Sequence, residues 1–511
     1  MKNLNHYLTL SLIILCTGVF AQTNGVDINF GDNGLVKTDI NGKFDDATDI
    51  VMVENGNIIA AGNSMVGSHF EFYIAQYYSN GELDETFGNS GFATIDFSTF
   101  HCLVKAITVQ NDGKIIVVGN YDNNYYTDPA IARFNEDGTI DTTFGNQGLI
   151  QFDLSAQFDD FNDVVVQPDG KILVVGSSFK FGSDDFLLVR FLEDGTLDES
   201  FGDDGFVYTD FDETEDVIYS VLLQKDKKIL VSGYSGYGST YFAAARYLEN
   251  GLLDPTFSID GKVTVSSGSR VDKSYGMTFQ SDSSFVLAGT HHAGAIDEYM
   301  FVRIDKNGSL DNTFGAGGMI YLPTLNAADK ITDVIVQADD KIVACGSRNN
   351  EAVFVRLTKN GTTDDTFGDN GILMLPEEDG TNILNALLMN SENTIIAAGS
   401  TDQDDYSDFL LMQINVDIQT TALDQQLVYV SENIYPNPAK NVITIQYSNL
   451  NNQLEALKIY SLSGELIYNT FLENNSGSVV VNIPESVESG TYIVNMIYND
   501  RITASKLQII K

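Results

Sequence analysis

The sequence predicts an all-β chain, most of which forms a seven-bladed β-propeller, and three observations lead to this fold class. A Phe-Gly segment recurs at intervals of 53 to 57 residues, which indicates a repeat architecture. Each repeat unit contains four strand-like pieces without helical periodicity. The last repeat unit lacks its fourth strand, and a single fourth strand precedes the first complete unit, as expected if the two ends meet in a closed ring.

Two markers occur in seven copies each and predict seven blades. The phenylalanines of the Phe-Gly segment are Phe30, Phe87, Phe144, Phe201, Phe257, Phe314 and Phe367. The glycines that end the second strand-like piece are Gly62, Gly119, Gly176, Gly233, Gly289, Gly346 and Gly399.

The second unit shows the four predicted strands best. They are Ala106–Gln110, Ile115–Gly119, Ala130–Phe134 and Gly148–Phe152. Asn111–Lys114 contains an Asp-Gly pair, which favours a tight hairpin between the first two strands. The second strand is apolar on both faces, as expected for a strand that is covered on both sides.

The two ends of the array decide between a ring and an open solenoid. The seventh unit stops after Phe409–Asn415 without a Phe-Gly segment or a fourth strand. The missing pieces, Val26–Gly31 and Gly34–Thr38, precede the first complete unit. Because closure also removes exposed sheet edges, we predict a seven-bladed β-propeller closed by an N-terminal strand. A small Ig-like β-sandwich is predicted to follow it.

The charge of the chain restricts its partners. The sequence has 71 acidic residues against 28 Lys and Arg, a net charge of −43. Such a surface repels phosphate backbones and anionic lipids, so nucleic acid and membrane surfaces are not expected partners. Cations and neutral or basic partners fit, as does the simpler interpretation that acidity keeps a secreted protein soluble.

Residues 1–21 have the pattern of a secretory signal peptide. Lys2 precedes the apolar run Leu8–Cys16, and cleavage is expected between Ala21 and Gln22. The bulky Leu15 argues against the alternative of a lipoprotein modified at Cys16. No later stretch has 18 continuous apolar residues, so no transmembrane helix is expected after signal removal.

The repeat units differ in length only between the second and third strands, in loops on the face that also carries the connections between blades. Irregular loops on a rigid scaffold are typical of a binding surface, so we predict a ligand face for a glycan or a protein. The candidate residues are Tyr121, Tyr125, Tyr126, Tyr234, Tyr237, His291 and His292. The alternative is that these aromatic residues cap the ends of the blades.

One position at the entry of the first strand is aspartate in five units. These residues are Asp45, Asp159, Asp216, Asp272 and Asp329. A ring of carboxylates around a channel mouth would suit calcium, and no other cofactor is expected. The alternative is local, because aspartate at such a position hydrogen-bonds to nearby backbone.

Repeated charges on the third strand and after it are predicted to form buried pairs that serve the fold. The arginines are Arg133, Arg190, Arg246, Arg303 and Arg356, and the aspartates are Asp84, Asp141, Asp198, Asp254, Asp311 and Asp364. Cys102 and Cys345, too few for a disulfide framework, are predicted to be small buried residues.

No catalytic residues are predicted. The chain after the leader has four histidines in no metal-binding spacing, no Gly-x-Ser-x-Gly motif and no tryptophan. A carboxylate pair for glycoside hydrolysis remains open, because such pairs are recognised by their separation in space. We expect a binding or scaffold module, with a secreted polysaccharide- or protein-degrading enzyme as the alternative.

Segments such as Leu83–Gly88, with the pattern Leu-Asp-x-Thr-Phe-Gly, resemble the delta-60 repeats of predicted bacterial surface propellers. The resemblance extends from residue 26 to about residue 416, and Ser258 departs from it after Phe257. It implies the propeller fold and no shared catalytic motif.

The last 79 residues, 433–511, resemble the type A sorting domain of the type IX secretion system. The matching residues are Tyr435, Pro436, Asn437, Pro438, Gly464, Gly490, Lys506 and Lys511. Short strands and Ser-Gly turns indicate a small β-sandwich here, for which an adhesive module is the alternative. The resemblance implies export by the type IX machinery, removal of the tail, and a product released from or fixed to the surface of a Bacteroidetes-like bacterium.

These boundaries divide the chain into four parts. They are a signal peptide at 1–21, the propeller at 22–416, a linker at 417–432 and the sorting domain at 433–511.

Overall fold

The computed structural model describes residues 25–511 with gaps at 96, 98–100, 124, 153, 155–156, 181, 269–270, 293–296, 325–328, 376–379, 392–393, 404–405, 417–432, 436–438, 441, 447–453, 462–465, 472–477, 485–486, 488 and 499–501. The leader and its predicted cleavage site at Ala21 and Gln22 lie outside the described residues. The chain divides into two compact units between Ile418 and Gln419. The secondary structure of the described residues is entirely β.

None of the described residues belongs to a helix long and apolar enough to cross a membrane.

Seven four-stranded antiparallel sheets form the first unit, and each is one blade of a propeller. The first strands of blades 1 to 7 are β2 (Asp45–Met52), β6 (Cys102–Val109), β10 (Asp159–Val166), β14 (Asp216–Leu223), β18 (Asp272–Phe279), β22 (Lys330–Val336) and β26 (Thr381–Ser391). The second strands are β3 (Ile58–Val66), β7 (Ile115–Asp122), β11 (Ile172–Lys180), β15 (Ile229–Ser235), β19 (Phe285–His292), β23 (Ile342–Arg348) and β27 (Thr394–Gln403).

The outer half of each blade consists of the third and fourth strands. The third strands are β4 (His69–Tyr77), β8 (Thr127–Phe134), β12 (Ser183–Phe191), β16 (Tyr241–Tyr247), β20 (Asp297–Ile304), β24 (Glu351–Leu357) and β28 (Tyr406–Asn415). The fourth strands are β5 (Phe92–Ile95), β9 (Leu149–Gln151), β13 (Phe206–Thr209), β17 (Lys262–Val265), β21 (Met319–Pro323), β25 (Ile372–Leu375) and, in blade 7, β1 (Leu35–Thr38). The inner three strands of blade 2 are longer than predicted at the ends on the side of the connections between blades.

The N-terminal strand completes blade 7, which confirms the predicted closure. β1 pairs antiparallel with β28 from Leu35 opposite Met412 to Thr38 opposite Phe409. Val26 forms a further bridge to Ile414. The first strands of blades 7 and 1 are also neighbours, so the seven first strands form a closed inner ring.

The core of the propeller lies between blades. Seven separate clusters of buried apolar side chains each combine residues of two adjacent blades, including blades 7 and 1. Phe30, from the N-terminal segment, is 1% exposed and belongs to the cluster between blades 7 and 1. Cys102 and Cys345 are buried, as predicted, and neither forms a disulfide within the described part of the chain. This arrangement explains why the second strands are apolar on both faces.

The repeated glycine of the second strand is required by a β-bulge in the first strand. In blade 1 the pairing register shifts between Ala47 and Asp49, and the backbone of Asp46 comes close to Gly62. A Cβ atom at Gly62 would lie 2.0 Å from the Asp46 carbonyl oxygen, so a larger residue does not fit. All seven first strands carry this bulge.

The Phe-Gly segment and the third-strand arginine join each blade to the next. In blade 3, Arg190 donates from Nε to Asp198 at 2.7 Å, lies over the ring of Phe201 and donates to the carbonyl oxygen of Glu249 in blade 4. The N–H of Gly202 donates to Asn250 of blade 4 at 3.0 Å. The five predicted arginine–aspartate pairs are therefore confirmed, and they serve the fold.

The second unit contains the strands β29 (Asn433–Tyr435), β30 (Val442–Gln446), β31 (Leu454–Tyr460), β32 (Leu466–Phe471), β33 (Ser478–Asn482), β34 (Gly490–Tyr498) and β35 (Ile502–Ile509). They form two antiparallel sheets, with strand orders β29-β30-β33 and β32-β31-β34-β35. Ile443 of one sheet shares a core with Leu457 and Val494 of the other. The Ig-like character of this unit stays a prediction.

Candidate functional site

The loops between second and third strands and the connections between blades emerge on one face of the propeller, called here the loop face. This placement follows from the alternating direction of the four strands. The predicted ligand residues all lie at or near this face, at the end of a second strand or in the loop after it. They come from blades 2, 4 and 5.

In blade 2, Tyr125 is 83% exposed, and Tyr126 packs edge-on against Phe158 with ring centroids 5.5 Å apart. Tyr121 stacks on Phe97 at 6.3 Å. Tyr121 and Tyr126 thus have the capping contacts of the structural alternative, whereas Tyr125 projects into solvent. Among the described residues, no ring contact joins these tyrosines to those of blades 4 and 5.

Blades 4 and 5 bring three tyrosines together at the loop-face end of the channel. The Tyr219 ring lies 5.1 Å from that of Tyr275 and 6.0 Å from that of Tyr234, between ring centroids. We call Tyr219, Tyr234 and Tyr275 the tyrosine cluster. Tyr219 and Tyr275 occupy the bulge of β14 and of β18, a position at which a side chain is turned out of the strand's regular alternation.

In the tyrosine cluster, Tyr219 and Tyr275 are partly buried and Tyr234 is buried, and charged groups lie nearby. Lys273 lies over the Tyr234 ring at 4.1 Å from its centroid. Burial, with smaller effects from the charges of Glu215 and Asp184, raises the pKa of Tyr234 to about 12. Burial also raises the pKa of Tyr219 and of Tyr275. These phenols are therefore neutral at ordinary pH and can stack and hydrogen-bond, but none is a proton acceptor.

Sequence reasoning missed Tyr219 and Tyr275. The equivalent bulge residues of the other blades are Thr48, Lys105, Asn162, Thr332 and Asn385. Aromatic residues occupy this position in two adjacent units only. A comparison of the units at this position could therefore have identified Tyr219 and Tyr275 from the sequence. Tyr237, one of the predicted ligand residues, is 81% exposed in the loop after β15 of blade 4.

The two predicted histidines of blade 5 are held by carboxylates. His291 is buried with Nδ1 2.8 Å from Asp272, and its ring lies 4.9 Å from the Tyr321 ring. His292 Nδ1 lies 2.6 Å from Asp297. Both contacts are between neighbouring strands at the edge of the loop face.

The five predicted cation-ring aspartates are buried at the junctions between blades. Asp45 accepts a hydrogen bond from the N–H of Ile40 at 2.8 Å, and Asp216 accepts one from Phe211 at 2.6 Å. Asp272 accepts from Ser267, and Asp329 accepts from Asn349. These four carboxylates thus bind backbone N–H groups, which is the local role set out as the alternative, and the ring remains a prediction.

Two groups of three carboxylates could each hold a cation. In one group, single oxygens of Asp39, Asp45 and Asp408 lie within 4.8 Å of one another, and in the other those of Asp185, Asp210 and Asp216 do. Each group contains one of the five predicted aspartates, so the structure brings those residues together with new partners rather than with one another.

Three further aspartates on the first strands are structural. Asp163 accepts hydrogen bonds from the N–H of Val164 and, in the next blade, of Val221, both at 2.7 Å. Asp49 and Asp333 make the same pair of contacts to their own and the next blade. Burial raises the pKa of Asp163 to about 8 and that of Asp333 to about 7. Because both oxygens accept backbone N–H groups, these carboxylates join blades and are not placed for acid–base chemistry.

In the sorting region, Lys511 donates from Nζ to the carbonyl oxygen of Pro484 at 2.6 Å, and its N–H donates to Ser489 at 2.8 Å. Gly490 and Lys506 lie on the paired strands β34 and β35. Tyr435 ends β29. Pro436, Asn437, Pro438 and Gly464 fall outside the described residues.

Family comparisons agree with both predicted modules. The model described as "Domain of unknown function (DUF5122) beta-propeller" matches residues 54–87, 110–144, 167–201, 224–257 and 337–367, each from an inner hairpin turn to a Phe-Gly phenylalanine. The "Secretion system C-terminal sorting domain" matches 433–511. No curated protein is a detectable relative of the chain in sequence.

Solved structures show a remote likeness to the propeller. A protein of unknown function from Dyadobacter fermentans is 10% identical, with a TM-score of 0.41, over 75% of this chain and 99% of its own. The polysaccharide lyase Uly1 is 12% identical at 0.45, over 73% and 90%. Sqt1 of Chaetomium thermophilum is 11% identical at 0.39, over 73% and 96%. Likenesses this remote carry no information about ligand or activity.

Proposed function

Because the chain carries DUF5122 β-propeller repeats and a secretion system C-terminal sorting domain, we propose that it is exported to bind an extracellular ligand through the loop face of the propeller. The sorting domain implies the type IX secretion machinery and a secreted or surface-attached product. In this proposal, residues 1–21 direct passage across the inner membrane of a Bacteroidetes-like cell. The tail, 433–511, directs passage across the outer membrane and is then removed.

The tyrosine cluster is the observation that favours a carbohydrate ligand. Neutral tyrosines in contact at a channel mouth offer ring faces for sugar C–H groups and hydroxyls for sugar oxygens. The net charge of −43 disfavours polyanionic glycans. The ligand class that fits both features is a neutral polysaccharide.

A degrading enzyme is the second candidate, and the side-chain contacts favour it less. The channel aspartates Asp49, Asp163 and Asp333 are engaged by backbone N–H groups. Asp160 accepts a hydrogen bond from Asn120 at 2.6 Å, and Asp46 accepts one from Asn385 at 2.9 Å. A general acid or base needs a lone pair or a proton directed at the substrate, whereas each of these carboxylates accepts at least one hydrogen bond from the protein.

The test is a binding screen of the chain from residue 22 against immobilised neutral β-glucan, mannan, xylan and galactan oligosaccharides. We expect binding to at least one of these probes. Tyr219→Ala and Tyr275→Ala are each expected to weaken it by about tenfold or more, because one stacking contact is lost. Tyr78→Ala, which removes a partly exposed tyrosine from the opposite face of the propeller, is the matched control and should bind like the wild type.

Three results would contradict the proposal: binding to none of the four glycans, equal losses in all three variants, or release of new reducing or unsaturated ends from the bound glycan. The last result would establish the enzyme instead. Melting temperatures of the variants show whether a loss of binding reflects a loss of fold.

A further inference from the structure

The two groups of carboxylates occupy the same repeat positions at two different blade junctions. Each contains an aspartate on a third strand, one directly after the fourth strand and one at the entry of the next first strand. Asp408, Asp39 and Asp45 form the group between blades 7 and 1, and Asp185, Asp210 and Asp216 form the group between blades 3 and 4. We call them the junction triads.

The local backbone of the two triads is also the same. Asp39 accepts a hydrogen bond from the N–H of Gly42, and Asp210 accepts one from Glu213. Asp45 accepts from Ile40, and Asp216 from Phe211, in both cases through Oδ2. These contacts fix the connecting loop so that its aspartate lies beside the buried one.

The two triads differ at the second oxygen of the buried aspartate: Asp216 Oδ1 accepts a hydrogen bond from the Thr214 hydroxyl at 3.0 Å, whereas Asp45 Oδ1 has no equivalent bond among the described residues. Asp45 is 0% exposed, and Oδ1 accepts no hydrogen bond of normal geometry from a described residue, although the Ser64 hydroxyl lies close enough to lower its pKa. A buried carboxylate oxygen left without a donor is costly, which is the condition that a bound cation relieves.

Each triad has an excess of negative charge. Lys37 lies near Asp408 in the first triad. In the second, Lys180 lies near Asp185 and Lys262 donates from Nζ to the carbonyl oxygen of Asp210 at 3.0 Å, so these lysines are fewer than the three carboxylates in each case. Burial, followed by weaker repulsion from Asp39 and Asp408, raises the pKa of Asp45 to about 6. Burial and the charge of Asp210 raise the pKa of Asp185 to about 6 as well. A divalent cation would balance the remaining charge.

We propose that each junction triad binds one calcium ion between adjacent blades. Oxygens that share one Ca²⁺ at about 2.4 Å lie at most about 4.8 Å apart, and the triads meet this limit with oxygen ligands only. Asp39 and Asp210 are exposed, which gives the ion an entry path and room for the waters that complete its coordination. The ion at blades 7 and 1 would tie the N-terminal strand to the ring that it closes.

The sequence has aspartate at all three positions of one more junction, at 128, 153 and 159. Asp153 lies outside the described residues, and that junction is left out of the proposal.

The experiment measures Ca²⁺ binding to the chain from residue 22 by calorimetry, together with melting temperatures in EGTA and in 10 mM CaCl₂. We expect at least two sites with dissociation constants of about 10⁻⁴ to 10⁻³ M, the range of extracellular modules, and a higher melting temperature in calcium. Asp39→Asn should remove one site, and adding Asp210→Asn should remove a second. Asparagine keeps the oxygen that Gly42 and Glu213 use, so the variants are expected to melt like the wild type in EGTA.

The matched control is Glu298→Gln with Glu351→Gln. These residues occupy the third-strand position that Asp408 and Asp185 occupy in the triads, but at two junctions that lack a triad. This control should keep every calcium site. Absence of calcium binding to the wild type at 10 mM, an unchanged number of sites in the double aspartate variant, or an equal loss in the glutamine control would overturn the proposal.

Discussion

A chain that starts at residue 39, without residues 22–38, is expected to lose cooperative thermal unfolding and to self-associate. The deletion removes β1 and the buried Phe30, together with Val26, Leu35 and Val36, which pack on the clusters on either side of blade 7. Four such apolar contacts contribute about 1.5–3 kcal/mol each, which is comparable with the whole stability of a typical domain, about 5–15 kcal/mol. The deletion also leaves β28 as an unpaired sheet edge.

Size-exclusion chromatography and a melting curve measure this result. A synthetic peptide of residues 22–40 should restore the monomer and the transition when added during refolding. The same peptide with Phe30→Ala and Val36→Asp should not. A truncated chain that stays monomeric and melts like the wild type would show that the N-terminal strand is not needed for closure.

The second large effect is expected from Asp198→Asn. Asp198 is 5% exposed and accepts hydrogen bonds from Arg190 at 2.7 Å and from Ser200, with Lys171 at 3.1 Å. Removing the charge leaves a buried guanidinium without its counter-ion, which costs about 3–5 kcal/mol. For a cooperative unit of this size, that corresponds to a fall in melting temperature of roughly 5 °C.

Blade 1 supplies the control, because Gln76 stands at its arginine position. Asp84 there accepts from Tyr78 and Thr86 and has no arginine partner at that position, so Asp84→Asn should cost at most about 1–1.5 kcal/mol. An equal fall in melting temperature in both variants would mean that the ion pair is not what stabilises the junction.

The effect of Asp198→Asn is also expected to depend on pH. Burial alone would raise the pKa of Asp198, but hydrogen bonds from Ser200 and Lys171 and the charge of Arg190 hold it below its ordinary value. A carboxylate with a lowered folded-state pKa stabilises the fold above its unfolded-state pKa, and the effect fades as the pH falls. The difference between wild type and variant should therefore be full at pH 7 and shrink below about pH 4.

The ring, its closure and the ion pairs could be predicted because each leaves a mark that repeats along the sequence. Phe30 has no strands before it, and Phe409–Asn415 has no fourth strand after it, so the phase of the repeat alone indicated that the two meet. Arg190 and Asp198 are eight residues apart in the sequence, and the same spacing recurs in the other units with an arginine, which made their pairing visible without coordinates.

The candidate sites could be predicted only in part, because they combine segments that no short pattern links. Tyr219 and Tyr275 reach the channel mouth through β-bulges, and a bulge is not visible as a break in the apolar alternation. Asp39 and Asp408 are 369 residues apart in the sequence and meet only because the ring closes. The aspartates at the entries of the first strands were recognised in the sequence. The other carboxylates of each triad were not, because their positions depend on how the third and fourth strands of the preceding blade pair.

Cross-linking of the two ends tests the closed ring most directly. Lys37 lies opposite Leu410 in the pairing of β1 with β28, at a separation that suits a disulfide between directly opposed antiparallel residues. The chain with Lys37→Cys and Leu410→Cys should form an intramolecular disulfide on mild oxidation, seen as a faster band on a non-reducing gel and as a linked peptide by mass spectrometry. Lys37→Cys with Ala130→Cys, at the equivalent third-strand position of blade 2, should not. Failure of the first pair to link, or equal linking of both pairs, would contradict a propeller closed by its N-terminal strand.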